Sequence, residues 1–393
     1  MKQIVIVEAK RTPIGSFGGS LSGFSAPELG ATVILELLKS QGLDPALVQE
    51  VVMGNVLTAG VGQAPARQAA MKAGLSEKTP ATTINKVCAS GMKAVMIAAD
   101  QIALGQCDVM IAGGMESMSH VPYYLPKHRF GSRLGHTSAE DGIIRDGLWD
   151  VYNDMHMGGA AELCSRECGI SRDDQDSYAI ESYKRAIRAH ETGKFADEIV
   201  PVKVRGRKGD VTKVTMDEEL SKVNFEKIPS LRPVFEKEGT VTAANASSIN
   251  DGAAALLLMS EERANELGLT PVARILAHAS AAKAPEWFTT APADALPLAV
   301  QRAGVTMDQI DLFEINEAFS VVSLINNRLL DLDSDFVNIY GGAVSIGHPI
   351  GCSGARILVT LLSALKHEGK TLGAAGICNG GGGASAMVVE RLA

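Results

Sequence analysis

The chain has 393 residues, of which 46% are hydrophobic, so it is long enough and apolar enough to bury more than one core. Its formal net charge of −8 and isoelectric point near 5.6 argue against nucleic acid or an anionic membrane as the main partner, because both favour basic surfaces. We therefore expect two or three packed domains that act on a small molecule.

The cysteines and the first residues of the chain predict its location. The cysteines are scattered without a disulfide pattern, and "KQIVIVEA" is typical of a first strand rather than a signal or transit peptide. No apolar run approaches the roughly 18 residues that a membrane helix needs. These features predict a reduced, soluble, cytoplasmic protein. The six cysteines are Cys88, Cys107, Cys164, Cys168, Cys352 and Cys378.

The first 119 residues alternate between short apolar runs and helical patterns. The runs are "IVIV" at 4–7, "VVM" at 51–53 and "VMIAGG" at 109–114, and helices are predicted from Pro27 to Lys39 and from Gly91 to Leu104. Such alternation is typical of a sheet that is covered by helices on both faces.

The middle of the chain, from 120 to 249, is richer in charge and in irregular segments. Helices are predicted here from Gly158 to Glu167 and from Arg172 to Thr192, the second behind a capping box that starts at Ser171. We interpret this part as an insertion. The strand "AAALLLMS" and a helix after Ser260 then return to the first unit.

The two ends of the chain repeat one pattern of landmarks, each about 260 residues later in the second copy. Chance matching of glycine-rich segments is the alternative, but the order of predicted helices and strands agrees as well. The sequence therefore predicts a duplicated α/β unit. The aligned pairs are Gly42 with Gly304, Asn55 with Asn316, and Ser90 with Ser353. The predicted regions are 1–119 plus 250–270, the inserted segment 120–249, and 271–393.

Cys88 lies in "INKVCASGMKAV", between a predicted strand and a predicted helix. A sulfur at a helix N-terminus is near unpaired N–H groups and the positive end of the dipole, which stabilise a thiolate. We therefore expect a nucleophile, although most free cysteines are only small buried hydrophobes.

Two segments near the C-terminus contain groups that could serve such a nucleophile. His348 lies in a Gly and Pro turn, where a rigid backbone could hold an imidazole as base or positive neighbour for a thiol. Cys378 ends an apolar run and precedes four glycines, and the N–H of Gly380 is a candidate donor to an oxyanion. Asn316 and Glu317 follow another strand, at a carboxyl end where such sheets bind ligands. An ordinary surface histidine and a flexible glycine turn are the alternatives.

The segments "VCASG", "NEAFS", "GGAVSIGHPIGCSGARI" and "CNGGGGASA" together resemble the thiolase family over nearly the whole chain. The resemblance implies an α/β fold with a duplicated αβαβα layered core and an inserted loop domain. It also implies coenzyme A thioesters as substrates. By this resemblance Cys88 is the acylated nucleophile, His348 its activator and Cys378 the acid and base, while Asn316 holds a water.

The resemblance also implies a substrate class and its binding residues. "HMGGAAE" favours the branch that condenses two acetyl-CoA into acetoacetyl-CoA, because His156 and Met157 look like the pair beside its pantetheine and acyl group. A degradative 3-ketoacyl-CoA thiolase, a condensing enzyme of fatty-acid synthesis and a non-catalytic acyl-CoA carrier are the alternatives. The substrate-binding residues implied are His156, Met157, Leu148, Ser247, Phe319, Phe235 and Ala243.

Partners and ions follow from the same resemblance. Acetyl-CoA, acetoacetyl-CoA and CoA are the expected partners, and a homotetramer is expected, with "GQAPAR" at 62–67 at subunit contacts. CoA is substrate and product, so no cofactor is expected. Cys164 and Cys168 are four residues apart on a predicted helix, which could suggest a metal, but no second ligand pair accompanies them, so helix packing is expected.

Contact with the CoA phosphates and activation by potassium both stay open in the sequence. Potassium is doubtful, because Leu220 stands where the ion-binding relatives have a tyrosine. The carbonyl donors implied for the ion are those of Ala243, Ala244, Ala246 and Val344. The basic residues that could contact the CoA phosphates are Lys203, Arg205, Arg207, Lys208, Lys222, Lys227 and Arg232.

Overall fold

The computed structural model describes residues 2–206 and 209–393, and its centre is one ten-stranded sheet within these residues. The first part of the chain and its return after the insertion form one half of the structure. This half contains β1 (Ile4–Arg11), β2 (Gly15–Ser16), α1 (Ala26–Gln41), β3 (Glu50–Gly54), α2 (Pro65–Lys72), β4 (Ala81–Ile84), α3 (Ser90–Ala103), β5 (Val109–Ser117), and later β12 (Asn250–Ser260) and α6 (Glu261–Glu266).

The segment between β5 and β12 lies outside the large sheet and forms short strand pairs and two longer helices. It contains β6 (Tyr123–Tyr124), β7 (Glu140–Asp141), β8 (Trp149–Asp150), β9 (Met155–His156), α4 (Met157–Cys168), α5 (Arg172–Glu191), β10 (Val202–Arg205) and β11 (Val211–Val214). The C-terminal half follows with β13 (Ala273–Ala282), α7 (Pro292–Ala303), β14 (Leu312–Ile315), α8 (Ser320–Leu329), α9 (Ala343–Ile346), α10 (Ile350–His367), β15 (Leu372–Asn379) and β16 (Gly383–Arg391).

The strand order confirms the predicted duplication. In the first half β1, β12 and β5 are antiparallel neighbours, and β3 and β4 then continue in parallel. In the second half β13, β16 and β15 are antiparallel neighbours and β14 continues in parallel, with a parallel bridge from Phe313 to Val337 at the edge. Pairing of β1 with β13 joins the halves.

The two central helices explain the layered architecture. Helix α10 packs on α3 and contacts β5 and β12 of the first half as well as β14 and β15 of the second. Helices α1 and α2 cover the outer face of the first half, and α7 covers that of the second. Buried Met92, Ile357 and Leu361 belong to the apolar core around α3 and α10, where the two halves of the large sheet are covered, which stabilises this arrangement.

Sequence patterns located the helices and strands well. The predicted capping box is present, because the side chains of Ser171 and Asp174 each accept from the other residue's backbone N–H. Arg11 ties the inserted segment to β1 through ion pairs with Glu198 at 2.5 Å and Asp217 at 2.7 Å. Among the described residues, no helix is both long and apolar enough to cross a membrane. The three predicted region boundaries stay a prediction.

Candidate active site

Cys88 lies in a strained turn between β4 and α3. Val87, the residue before it, has φ of 49°, which is unfavourable for a β-branched side chain and costs about 1–3 kcal/mol. Two side chains hold this turn: Asn85 accepts from the Val87 N–H at 2.8 Å, and the Ser90 hydroxyl donates to the Val87 carbonyl at 2.6 Å. These two hydrogen bonds therefore hold the strained backbone immediately before Cys88.

The thiol of Cys88 is half-buried and lines a cavity. Burial raises its pKa to about 11, although the N–H groups of Gly380 and of Cys88 itself act in the opposite direction. This direction is opposite to the one expected for a sulfur at a helix N-terminus, because burial disfavours the charged form of the thiol. In the free protein Cys88 is a neutral thiol that needs a base.

His348 is buried at the start of α10, and its ring is oriented by Ser353. Its Nδ1 lies 2.6 Å from the Ser353 hydroxyl, which in turn donates to the Pro349 carbonyl at 3.0 Å. Because the hydroxyl has one hydrogen, both bonds form only when Nδ1 carries the ring proton. Nε2 is then a free base, and it has no hydrogen-bond partner among the described residues.

The charge state of His348 suits this role. Burial, assisted by the positive charge of Arg356, lowers its pKa to about 3. The imidazole is therefore neutral at physiological pH and can accept a proton from a thiol.

Cys378 and Asn316 lie at the ends of the parallel strands β15 and β14. Both are fully buried. Burial, and next the nearby Cys88, raise the pKa of Cys378 well above its usual value, so this sulfur also starts as a thiol. Both polar atoms of the Asn316 amide lack a hydrogen-bond partner among the described residues, which is the environment expected of a side chain that binds a water.

Gly380 follows Cys378 and brings its backbone beside Cys88. A Cβ on Gly380 would meet Val87 Cγ1 and Met157 Sδ at 3.5 Å, so the chain runs close to both the nucleophile turn and the cavity wall. Its N–H points to the Cys88 sulfur. An oxyanion formed on an acyl group at Cys88 would therefore find a donor.

One mainly apolar cavity of about 280 Å³ collects most of the predicted site residues. Cys378 and Asn316 do not line it, and neither does Ala243, which is exposed. The predicted residues that line it are Cys88, Leu148, His156, Met157, Phe235, Ser247, Phe319, His348 and Gly380.

Aromatic packing shapes the cavity wall. His156 stacks on Phe235 with ring centroids 4.7 Å apart, and Phe319 meets Phe235 edge-on at 6.3 Å. Gly158 is required beneath this stack, because a Cβ there would collide with the Phe235 ring. Ser247 donates its hydroxyl to the Ala318 carbonyl at 2.8 Å.

Sequence reasoning missed several residues of this site. Val234 and Phe288 line the cavity, Ser353 orients His348, and Glu116 holds the backbone around the site. The internal repeat was a usable signal for Ser353, because it aligns with Ser90 beside Cys88. For the two apolar residues the sequence contained no signal, since only folding brings their segments to the cavity.

The other residues considered in the sequence lie away from this cavity. Lys203 and Arg205 are exposed on the β10–β11 hairpin, while Arg207 and Lys208 lie outside the described residues. Exposed Lys222 pairs with Glu218 at 3.0 Å, and Lys227 and Arg232 are exposed as well. Contact with CoA phosphates stays a prediction for all of them.

The structure locates the positions considered for ions, and potassium binding stays a prediction. The sulfurs of Cys164 and Cys168 are 4.0 Å apart, and no cluster of three metal-ligating side chains is found in the described ranges. Leu220 is buried and offers no side-chain oxygen, while Ala244 and Ala246 are half-buried and Val344 is buried.

Comparison with known proteins gives consistent results. The family described as thiolase, N-terminal domain matches residues 4–262, and thiolase, C-terminal domain matches residues 269–391. "Acetyl-CoA acetyltransferase 2" of Arabidopsis thaliana is 57% identical over 100% of this chain and 98% of its own length. A Gibberella zeae acetyl-CoA acetyltransferase that is named cytosolic is 52% identical over 99% of this chain and 98% of its own length.

A solved structure agrees as well. A thiolase from Ascaris suum, solved in complex with coenzyme A, superposes with a TM-score of 0.94 at 44% identity, covering 100% of both chains. The layered fold predicted from the sequence is therefore confirmed.

Proposed function

Because the chain belongs to the thiolase family, we propose that it catalyses the reversible condensation of two acetyl-CoA molecules into acetoacetyl-CoA and CoA. The observation that carries this proposal is the meeting of Cys88, His348 and Gly380 at one apolar cavity, with Cys378 close enough to Cys88 for their charges to interact. The names of the relatives support the same substrate class.

In the first step Cys88 attacks the carbonyl carbon of acetyl-CoA. Nε2 of His348 takes the thiol proton, and the N–H groups of Cys88 and Gly380 stabilise the oxyanion. The C–S bond to CoA then breaks, and the leaving thiolate takes a proton from Cys378. The products are acetyl-Cys88, CoA thiol, a Cys378 thiolate and a protonated His348.

In the second step the Cys378 thiolate removes an α-proton from another acetyl-CoA. Protonated His348 and a water on Asn316 stabilise the enolate oxygen, and the enolate carbon attacks the acetyl carbon on Cys88. Collapse of the tetrahedral intermediate releases acetoacetyl-CoA. The Cys88 sulfur leaves and regains its proton from His348, so the cycle closes.

The size of the acyl group is set by the cavity wall. Met157 and the packed rings of Phe235, Phe288 and Phe319 form an apolar wall of the cavity that Cys88 lines, which supports short acyl units over long chains. A degradative thiolase of broader range and a non-catalytic acyl-CoA carrier would each use the same fold.

Thiolysis with purified protein tests these alternatives. We expect rapid CoA-dependent cleavage of acetoacetyl-CoA and slow cleavage of a straight-chain 3-ketoacyl-CoA with about ten carbons. Equal turnover of the two substrates would assign the protein to the degradative branch. Binding of both without cleavage would indicate a carrier.

We further propose a cytoplasmic homotetramer that needs no metal or potassium ion. Subunit contacts at 62–67 would be shared between copies, and a monomer in sedimentation at assay concentrations would contradict this assembly.

Equal rates in sodium and potassium chloride at one ionic strength are expected, because Leu220 supplies no oxygen to an ion. A clear stimulation by potassium would contradict the absence of an ion site.

A further inference from the structure

Glu116, at the end of β5, is a fully buried carboxylate that the proposed reaction does not use. Its Oε1 accepts from the Asn55 side-chain amide at 2.5 Å and from the Leu57 N–H at 3.2 Å. Its Oε2 accepts from the Val56 N–H at 3.0 Å and from the Gly351 N–H at 2.9 Å. One side chain therefore joins the loop after β3 in the first half to helix α10 of the second half.

The contact with Gly351 is at the first turn of α10, two residues after Pro349. Pro349 is the N-cap of this 18-residue helix and provides no side-chain acceptor, so Glu116 satisfies one of the free N–H groups from the other half of the molecule. Gly351 permits this approach, because a Cβ there would lie 2.7 Å from Oε2.

The internal repeat shows which part of the catalytic site corresponds to Glu116. Gly54 pairs with Gly114 in the first half, and Ile315 pairs with Gly376 in the second. In the first half Gly54 of β3 is followed by Asn55, and in the second half Ile315 of β14 is followed by Asn316. Two residues further along the partner strand lies Glu116 in the first half and Cys378 in the second.

The nucleophile has a counterpart too. Cys88 precedes Ser90 by the same spacing with which Gly351 precedes the aligned Ser353. By the internal repeat, Gly351 of the second half is therefore equivalent to Cys88, and Glu116 of the first half is equivalent to Cys378. In this second pair, Gly351 and Glu116, a carboxylate contacts a backbone N–H, and neither of the two residues carries a thiol.

We propose that Glu116 is a positioning residue: it fills the duplicated counterpart of the active site, fixes the start of α10 against the first half, and so sets His348 relative to Cys88. This proposal rests on the proposed function. His348 and Ile350 flank the N-cap of α10, and both line the cavity beside Cys88. A shift of this helix start would move the base away from the thiol.

The charge of Glu116 has a separate effect that can be measured. Burial raises the pKa of Glu116 to about 7, while its four N–H donors favour the ionised form. The titratable groups that face it are Cys88 and Cys352, whose pKa values it raises. Removing the charge should therefore lower the pKa of Cys88 while the helix start loosens.

The test compares E116Q with the wild type in acetoacetyl-CoA thiolysis and in alkylation of Cys88 by iodoacetamide. We expect kcat per reactive Cys88 to fall about 100-fold with KM changed by less than about threefold, since a misplacement near 1 Å has such an effect. The pH midpoint of Cys88 alkylation should move down. A loss of stability would also expose the thiol and lower its pKa, so both changes must appear in E116Q at wild-type thermal stability to support the proposal.

The matched control is E218Q, because Glu218 also accepts N–H groups of another segment, at Ser16 and Ser20, yet does not line the cavity. It should keep the wild-type kcat and alkylation midpoint. If E116Q does not fold, the N55A variant provides the test, because it removes one hydrogen-bond donor to Glu116 and leaves the three backbone donors. In N55A we expect kcat to fall about tenfold.

Unchanged kcat in folded E116Q, or in N55A where E116Q does not fold, would overturn the proposal. So would an unchanged alkylation midpoint in folded E116Q. A wild-type protein that does not cleave acetoacetyl-CoA would instead contradict the proposed function.

Discussion

The two halves of the chain share one strand order but carry different groups at equivalent strand ends. After the glycine-rich end of the middle strand, the first half has Glu116, which anchors backbone, and the second half has Cys378, which lies beside the nucleophile. At the helix starts, Ser90 holds the turn of Cys88, whereas Ser353 holds the ring of His348. The comparison teaches that duplication supplied a symmetric scaffold, and that side-chain divergence assigned one half the nucleophile and the other its acid and base.

The largest expected effect is that of Cys88→Ala, in the first half. Without the sulfur no covalent intermediate forms, so acetyl labelling from acetyl-CoA should disappear and condensation should fall by about 10⁴-fold or more. Intact mass spectrometry after incubation with acetyl-CoA measures the label. An acetyl group trapped on Cys378 in the wild type, with Cys88 free, would reverse the assignment of roles.

Cys378→Ala, in the second half, should separate the two steps. Acetyl transfer to Cys88 should persist, although CoA release slows, because Cys378 is not the nucleophile. Condensation should fall by about 10²–10⁴-fold for want of a base for the α-proton. Rapid-quench labelling measures the rate of acetyl transfer to Cys88, and steady-state assays measure the rate of condensation. An equal loss of both rates would argue against separate roles for Cys88 and Cys378.

Ser353→Ala tests the orientation of the base. The variant loses the acceptor that keeps the ring proton on Nδ1, so a fraction of the imidazole should present an N–H to Cys88 in place of a lone pair. We expect kcat to fall about 10- to 100-fold with KM nearly constant. The aligned Ser90→Ala serves for comparison: it should weaken the strained turn and lower thermal stability as well as kcat. A Ser353→Ala enzyme with wild-type kcat would remove Ser353 from the mechanism.

The pH dependence of Cys88 alkylation tests the same thiol in the wild-type protein, without a substitution. Because the folded-state pKa is raised to about 11, the rate with iodoacetamide should climb about tenfold per pH unit from 7 to 10 without a plateau. Peptide mass spectrometry should place the alkyl group on half-buried Cys88 ahead of buried Cys378. A plateau near pH 7 would mean that Cys88 and His348 form an ion pair in the free protein.

Much of the scaffold could be read from the sequence. Alternating apolar runs and helix signals located β1, β3, β5, α1 and α3, since these patterns depend on local periodicity. The repeat of landmarks around Asn55 and Asn316 predicted the duplication, because equivalent turns need the same small and polar residues wherever they occur. The motifs around Cys88, His348 and Cys378 were sufficient to predict the family.

Only the tertiary structure decided the electrostatics and the neighbours of these groups. A helix N-terminus suggested a thiolate at Cys88, but burial raises the pKa of this thiol, and the cavity that it lines is completed by segments hundreds of residues away, such as those of Phe319 and His348. Likewise nothing local to Glu116 predicts its contact with Gly351, because that bond exists only once α10 of the second half packs against β5 of the first half. Local patterns specify elements, whereas desolvation and cross-half hydrogen bonds depend on which surfaces meet.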